Sequence, residues 1–340
     1  MEVNMFKIHK ILFTLFVTLA AVSVSGSPGT AHAVTIKIAT LSPDGTFWMK
    51  SMREGADEIE QRTSGRVKFK FYPGGVMGND ANVLRKMRIG QLHGGAITIG
   101  SISDHAPDVT VYGLPFLFDS LDEAEKIREQ SDDMLIKLIE KGGYVSLGIA
   151  QGGYSYLMSK QPVNGFADLR QQKSWVPENN DVGLSVFDYI GVSPISLPIS
   201  DVLTGLQTGL IDNIFASPIG AVALQWHTHV NYVVDLPLNY LTATMVIDEK
   251  AFNKIGAEDQ DIVREVMRSV YHKIDQQNKA DNIAARQALE NNGVKFVSLT
   301  EDEKQEWYRA AEHVMDHMNK TYKYDPAFYN YVVSGTTASK

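Results

Sequence analysis

The sequence predicts an α/β protein built from two lobes, and three observations predict it. The chain has 340 residues, which at roughly 150 residues per domain suits two domains large enough to bury their own cores. Its N-terminal part alternates strand and helix patterns in the order β-α-β-α-β, the signature of a parallel sheet covered by helices. From Ala257 to Asn292 the chain is nearly free of Gly and Pro, and Ile262, Val263, Val266, Met267, Val270 and Ile274 form an apolar stripe at helical spacing. At 1.5 Å per residue that helix reaches about 54 Å, longer than one small lobe, so it is expected to brace both.

The elements follow in order. Lys7 and Lys10 precede an apolar run from Ile11 to about Val24, and Ala31-His32-Ala33 follows. This reads as an export signal over residues 1–33 with cleavage near Ala33. About 14 apolar residues fall short of the roughly 20 that span a bilayer, so the mature chain is expected to be exported and not membrane-embedded. Val34 to Thr40 alternates as a strand, Ser42-Pro43-Asp44-Gly45 turns, and Phe47, Trp48, Met52, Ala56 and Ile59 recur at helical spacing. Arg66–Tyr72 is the second strand, Ala81–Ile89 the second helix and Gly94–Ile99 the third strand. Leu114–Phe118 ends this unit, and Asp119–Lys141 reads as helix. Val145–Ala150 reads as a short buried strand. A second α/β unit with its own sheet follows: Trp175-Val176-Pro177 at a strand end, then helical patterns over Val182–Ile190 and Val202–Leu210.

Composition narrows the chemistry. Hydrophobic residues at 44% and charged residues at 21% are those of an ordinary folded protein. With 40 acidic and 32 basic residues the net charge is −8, which disfavours nucleic acid as a partner because phosphate binding needs clustered Lys and Arg. The absence of cysteine removes disulfides, thiolate metal sites, thiol nucleophiles and a lipidated cysteine. No G-x-S-x-G, H-E-x-x-H, Walker A or G-x-G-x-x-G motif occurs, so neither a catalytic residue nor a cofactor is assigned. A secreted hydrolase with a dispersed Ser-His-Asp set, or a scaffold without a cleft, remains as an alternative class. His227 and His229 would share a face if their segment were a strand, but two imidazoles do not complete a metal site. No metal site is assigned, and Glu301-Asp302-Glu303 reads as a solvated first helical turn.

Several segments together resemble the extracytoplasmic solute receptors of tripartite ATP-independent periplasmic (TRAP) transporters, the dicarboxylate-receptor (DctP-like) family. They are Phe71-Tyr72-Pro73-Gly74-Gly75 with Met77-Gly78, Leu114–Phe118, Asp168-Leu169 before Trp175-Val176-Pro177, Gly191–Pro194, Ser200-Asp201-Val202 and Leu206–Asp212. The resemblance implies a two-lobed, hinged periplasmic binding protein fold of type II-like topology with a long bracing helix. It implies a receptor that traps a small molecule between its lobes in the periplasm and delivers it to small and large membrane permease subunits, with no reaction and no cofactor. On that frame residues 34–152 form lobe I and 153–240 lobe II. Residues 241–281 return to lobe I, and 282–340 carry the rest of the long helix and the C-terminal helices, packed on lobe II and the hinge.

The chain also departs from the family. Most members are expected to hold a carboxylate through an arginine two residues before the Pro of the strand after Asp-Leu, because a guanidinium fork matches a carboxylate. Trp175 stands there, and two further polar anchors fall at or near Ser155 and Ala216. A carboxylate buried without a cation costs several kcal/mol. The replacements suggest an apolar, aromatic cleft formed by Trp175, Tyr154, Phe215 and Trp226 with Ile199 and Met245 nearby. Gln151, Ser155 and Ser217 would orient the ligand, and Phe47 and Met77 are first-lobe candidates. A carboxylate held by Arg170 or Lys173 is the alternative. The tryptophan-bearing branch resembles receptors that work with a separate periplasmic tetratricopeptide-repeat protein, a further possible partner.

Overall fold

The computed structural model describes residues 33–336, so the expected export signal falls outside the described residues. The chain runs through β1 (Val34–Thr40), α1 (Phe47–Arg62), β2 (Val67–Tyr72), α2 (Asp80–Arg88) and β3 (Gly94–Thr98). β1 pairs in parallel with both β2 and β3, as the alternating pattern predicts. Two 3-10 turns, Ile99–Ile102 and Pro107–Gly113, lead to α3 (Leu121–Lys141) and β4 (Tyr144–Ser159). Next come α4 (Phe166–Leu169), β5 (Trp175–Pro177), α5 (Asp181–Ile190), β6 (Ile195–Leu197), α6 (Val202–Thr208), β7 (Asn213–Ala216) and α7 (Pro218–Ala223). β8 (Tyr232–Val234), β9 (Asn239–Asp248), α8 (Glu249–Phe252), α9 (Ala257–Asn291), β10 (Lys295–Val297), α10 (Glu301–Thr321) and α11 (Pro326–Gly335) complete the described chain.

Local chemistry sets the helix ends. Thr46, Asn79 and Ser120 accept backbone N–H groups of the first turns of α1, α2 and α3, satisfying donors that have no intrahelical partner. Gly209 ends α6 at φ +71°, a left-handed conformation that glycine adopts without a Cβ penalty. Thr300 and Glu303 form a capping box on α10, so the Glu301-Asp302-Glu303 run sits in a first helical turn. Among the described residues no helix is long and apolar enough to cross a membrane.

The main sheet has eight strands in the order β10-β8-β4-β9-β3-β1-β2, with β7 also on β4, and β5 and β6 form a separate parallel pair. Two expectations change here. The short strand Val145–Ala150 is the first half of the 16-residue β4, which pairs with β9 up to Ser155 and then with β7 and β8 from Tyr156 to Ser159. The lobes therefore do not carry separate main sheets, because β4 runs through both sets of partners. Gly152-Gly153 looks like a strand end in sequence, but the register shift between Gln151 and Gly153 absorbs it as a bulge. Gly153 has φ +83°, and a Cβ there would stand 2.7 Å from Asn282 Nδ2. The third correction concerns His227 and His229, which lie in a 3-10 turn, Trp226–His229, and not in a strand. His227 Nδ1 contacts the Ala221 carbonyl at 3.1 Å, and no cluster of three or more potential metal-binding side chains occurs among the described residues.

Core residues sort into two groups. Two clusters draw on residues between Ile36 and Ile149–Ala150 and between Tyr240 and Ile274, joined by Val314, Met318, Phe328 and Val332 of α10 and α11. Two others draw on Leu157 to Leu238 and on Leu289 to Ala310. The end of α10 and all of α11 thus pack on the first group. The long helix α9, 35 residues, contributes Val263 to Ile274 to one group and Leu289 to the other.

Where β4 passes between the groups, α9 holds its backbone. Asp275 Oδ1 accepts the Gln151 N–H at 2.7 Å, Asn278 Nδ2 donates to the Gln151 carbonyl at 2.6 Å, and Asn282 Nδ2 donates to the Gly152 carbonyl at 3.3 Å. Arg128 of α3, 5% exposed, completes the joint. Its guanidinium donates to both carboxylate oxygens of Asp132, to Asp275 Oδ2, to the Tyr240 hydroxyl and to the Ile149 carbonyl, at 2.6–3.2 Å.

Burial raises the Asp132 and Asp275 carboxyls above their ordinary range, and the Arg128 charge opposes this. Removing the guanidinium leaves two carboxylates without their cation. Arg128→Met is expected to cost about 3–5 kcal/mol at neutral pH. The sign with pH follows from linkage. Below the unfolded carboxyl range both states are protonated and the penalty is absent, and it grows as pH rises from there through the raised folded values. Urea denaturation near pH 4 and pH 7 should show the larger deficit at the higher pH.

Candidate functional site

A cavity of about 260 Å³ lies where the two core groups meet. One side is formed by the turns after β3, with Ile99, Val109 and Thr110, and by Pro115-Phe116. The other carries Trp175 to Phe187 from β5 and α5, with Ile199 and Phe215. Leu238, Asn239 to Thr242 of β9, and Trp307, Ala310 and Ala311 of α10 also line it.

Aromatic edges fix the wall. Trp175 meets Trp226 edge to face at 5.4 Å, Phe187 meets Phe215 at 5.6 Å, Phe116 meets Tyr308 at 4.9 Å and Trp307 meets Phe166 at 4.9 Å, separations at which such pairs are favourable. Trp175 is 2% exposed, and its indole N–H donates to the Leu197 carbonyl at 2.9 Å. Phe116 holds φ +52° and Asn179 φ +56°. Two of the four described non-glycine residues with positive φ therefore line this one cavity. For a bulky residue such as Phe116 that backbone is costly and needs the surrounding structure to impose it. The Phe116 N–H bond to the Leu238 carbonyl, 2.8 Å, supplies part of that.

The wall contains no Lys, Arg or His among the described residues, and its only charged members are Glu178 and Asp181. Both are exposed. Glu178 accepts Asn79 Nδ2 at 2.7 Å, a bond from the cap of α2 to the β5–α5 connection, and Asp181 accepts the Tyr322 hydroxyl. Behind Thr98 and Ser101, Asp80 is buried and accepts both hydroxyls and the Thr98 N–H. Burial raises its carboxyl despite those bonds. Burial likewise pushes the Tyr240 hydroxyl up, against the pull of Arg128, so on the cavity wall this phenol stays neutral.

Residues 38–321 match the family model described as bacterial extracellular solute-binding protein, family 7 (DctP). The chain belongs to this family. It is a solute receptor of the TRAP type and not an enzyme. It is 24% identical over 296 residues to a solute-binding protein of Roseobacter denitrificans, covering 85% of this chain and 90% of that one. It is 23% identical over 257 residues to the sialic acid-binding periplasmic protein SiaP of Vibrio cholerae, covering 75% and 79%. A solved TRAP periplasmic solute-binding protein of Haemophilus influenzae with bound L-gulonate superposes with a TM-score of 0.82 at 20% identity, covering 89% of this chain and 100% of that one. One of Xanthobacter autotrophicus with bound β-D-galacturonate gives 0.81 at 20% identity, covering 88% and 98%. The two-lobed fold expected from the sequence is thus the observed one.

Of the ligand-site residues expected from the sequence of this receptor, Trp175, Phe215 and Ile199 line the cavity. The others lie off its wall. Trp226 stands behind Trp175 as core. Tyr154 donates its hydroxyl to the Phe118 carbonyl, and Gln151 is bound by Asp275 and Asn278 of α9. Ser155 is buried and its carbonyl receives the Leu238 N–H, while Ser217 caps α7. Met245 and Phe47 pack in the core beside α9, and Met77 packs on the neighbouring cluster with its carbonyl bound by Lys86. Arg170 donates to the Ile190 carbonyl and Lys173 to the Gly209 carbonyl, and neither reaches the wall. Sequence reasoning missed Phe116, Phe187, Tyr240 and Trp307. Phe116 stood in a recognised motif, whereas Tyr240 and Trp307 are far from every motif and had no local signal.

Trp175 supplies both packing and one satisfied polar bond. Trp175→Phe is expected to destabilise the receptor by about 1 kcal/mol from the orphaned Leu197 carbonyl, and Trp175→Ala by about 3–5 kcal/mol from the cavity left behind. Chemical denaturation of the two variants checks the order.

Proposed function

We propose that this receptor captures a relatively apolar or aromatic small molecule and passes it to a membrane permease. TRAP receptors work with such permease subunits, here a small and a large one. The observation that carries the reading is the cavity wall, rich in aromatic and aliphatic side chains with two carboxylates and no cation. A buried carboxylate ligand would find no partner for its charge there. Trp175 occupies the position at which the family resemblance places an arginine, and its ring forms part of the wall.

In this reading residues 34–152 and 241–281 act as one lobe and 153–240 as the other, with the bulged centre of β4 as the hinge. Ligand contacts to both sides favour the closed state. Residues 1–33 serve as the export signal to the periplasm. A separate periplasmic tetratricopeptide-repeat protein is a further partner of this branch.

A second reading, an organic-acid receptor using another cation, is favoured by the sugar acids bound in the solved relatives. Native mass spectrometry of receptor purified from its host, followed by denaturation, separates the two. Release of an aromatic or lipid-like compound is expected. Release of a small carboxylate, or saturable calorimetric binding of D-glucuronate or L-gulonate by the emptied receptor, would overturn the apolar reading.

A further inference from the structure

The start of β9 brings main-chain groups to the cavity as well as side chains. β4 pairs along one edge of β9 from Asn239 onward, whereas β3 pairs along the other edge only as far as Ala243, opposite Thr98. Before Ala243 that second edge has no strand on it among the described residues. Phe116 donates its N–H to the Leu238 carbonyl there at 2.8 Å. C=O groups along a strand alternate between its edges, so the Tyr240 C=O faces the same way as that of Leu238, and the Tyr240 N–H faces with it. Neither Tyr240 group has a hydrogen-bond partner outside the strand pairing among the described residues.

Space is left in front of them. Gly113 also lines the cavity, and a Cβ there would meet only the Tyr240 carbonyl oxygen, at 4.0 Å. Two residues further on the same face of β9, Thr242 is 9% exposed, and its hydroxyl is neither paired nor fully covered. The hydroxyls of Thr98, Ser101 and Thr110 are by contrast bound within the protein. Asn239 is half-buried and Asn179 exposed, and their amides are unpaired as well. A group that satisfies Tyr240 must donate to its C=O and accept from its N–H side by side. A carboxylate only accepts, and Glu178 and Asp181 stand on the same wall with no cation. A ketone or ether uses the N–H and leaves the C=O unpaired. A neutral amide supplies both partners.

We propose that the main-chain N–H and C=O of Tyr240, with the Thr242 hydroxyl beside them, are the polar recognition strip of this receptor, and that they take a neutral amide, such as a carboxamide or lactam, on an otherwise apolar ligand. The proposal rests on the apolar-ligand reading above and narrows it from any apolar solute to one chemical class.

Benzamide, acetophenone and benzoate test it, being close in shape and differing in what they donate and accept. Titrated into emptied receptor, benzamide is expected to bind on the order of tenfold more tightly than acetophenone, and benzoate more weakly than either. Thr242→Val, which keeps the shape of the side chain, should weaken benzamide binding by about three- to tenfold. Resonances of the wild-type protein give an independent readout that needs no variant. The Tyr240 ¹⁵N–H signal should move downfield with benzamide and with acetophenone, and the Tyr240 ¹³C=O signal with benzamide alone. Both probes carry the same ring, so the difference between them reads the hydrogen bond. Equal binding of benzamide and acetophenone, benzamide binding unchanged in Thr242→Val, or a Tyr240 carbonyl signal that does not distinguish the two probes overturns the proposal and leaves the apolar reading standing. Benzoate as the tightest of the three, or binding of none, overturns both.

Discussion

The buried Arg128 guanidinium is the constraint on which the arrangement depends. A cation in the interior is tolerated only when its charge and its donors are answered. Arg128 has five N–H groups, and all five find acceptors: Asp132 twice, Asp275, Tyr240 and the Ile149 carbonyl. Those partners belong to α3, α9, β9 and β4. Moving any of the four without the others would strand a charge, so they act as one block. The block fixes Tyr240, which is also a wall residue of the cavity, and through Asp275 it fixes the bulged stretch of β4.

The cavity gains its character from the same requirement. Its hydroxyls and indole groups are largely tied to protein partners, and its aromatic rings are locked edge to face, so what faces the interior is mainly hydrocarbon. Asp80 shows this well. Its carboxylate is covered by Thr98 and Ser101, which line the cavity, and three hydrogen bonds compensate its burial. This carboxyl group is answered behind the wall, whereas Glu178 and Asp181 stand on the wall itself.

The sequence made the parallel start of the sheet legible, because β1, β2 and β3 are separated by amphipathic helices and pair locally. The long helix was legible from an apolar stripe uninterrupted by Gly or Pro, and Trp175, Phe215 and Ile199 could be placed together through the family's motifs. The full length of β4 was not. Its central glycines look like a break, and only contacts from α9, more than a hundred residues away, turn that break into a bulge. β9 escaped for a related reason: its pairing with β3 and β4 is long-range. Trp307 and Tyr240 had no signal, because their role comes from where α10 and β9 lie. Residues such as Met245, Ser155 and Gln151 were near in sequence to cleft elements, but strand alternation and helix contacts place them in the core or against α9.

The pairing of Trp175 with Trp226 also restricts which side chains a single mutation can place at this position. The site gives Trp175 one acceptor, the Leu197 carbonyl, and surrounds the rest of the ring with apolar neighbours such as Trp226, Val202 and Leu206. An arginine arriving there alone would bring five donors to a pocket shaped for one, beside a second indole that offers no carboxylate. A Trp175→Arg substitution on its own is therefore destabilising. An arginine at this position requires coupled changes among its neighbours, which a single substitution does not supply.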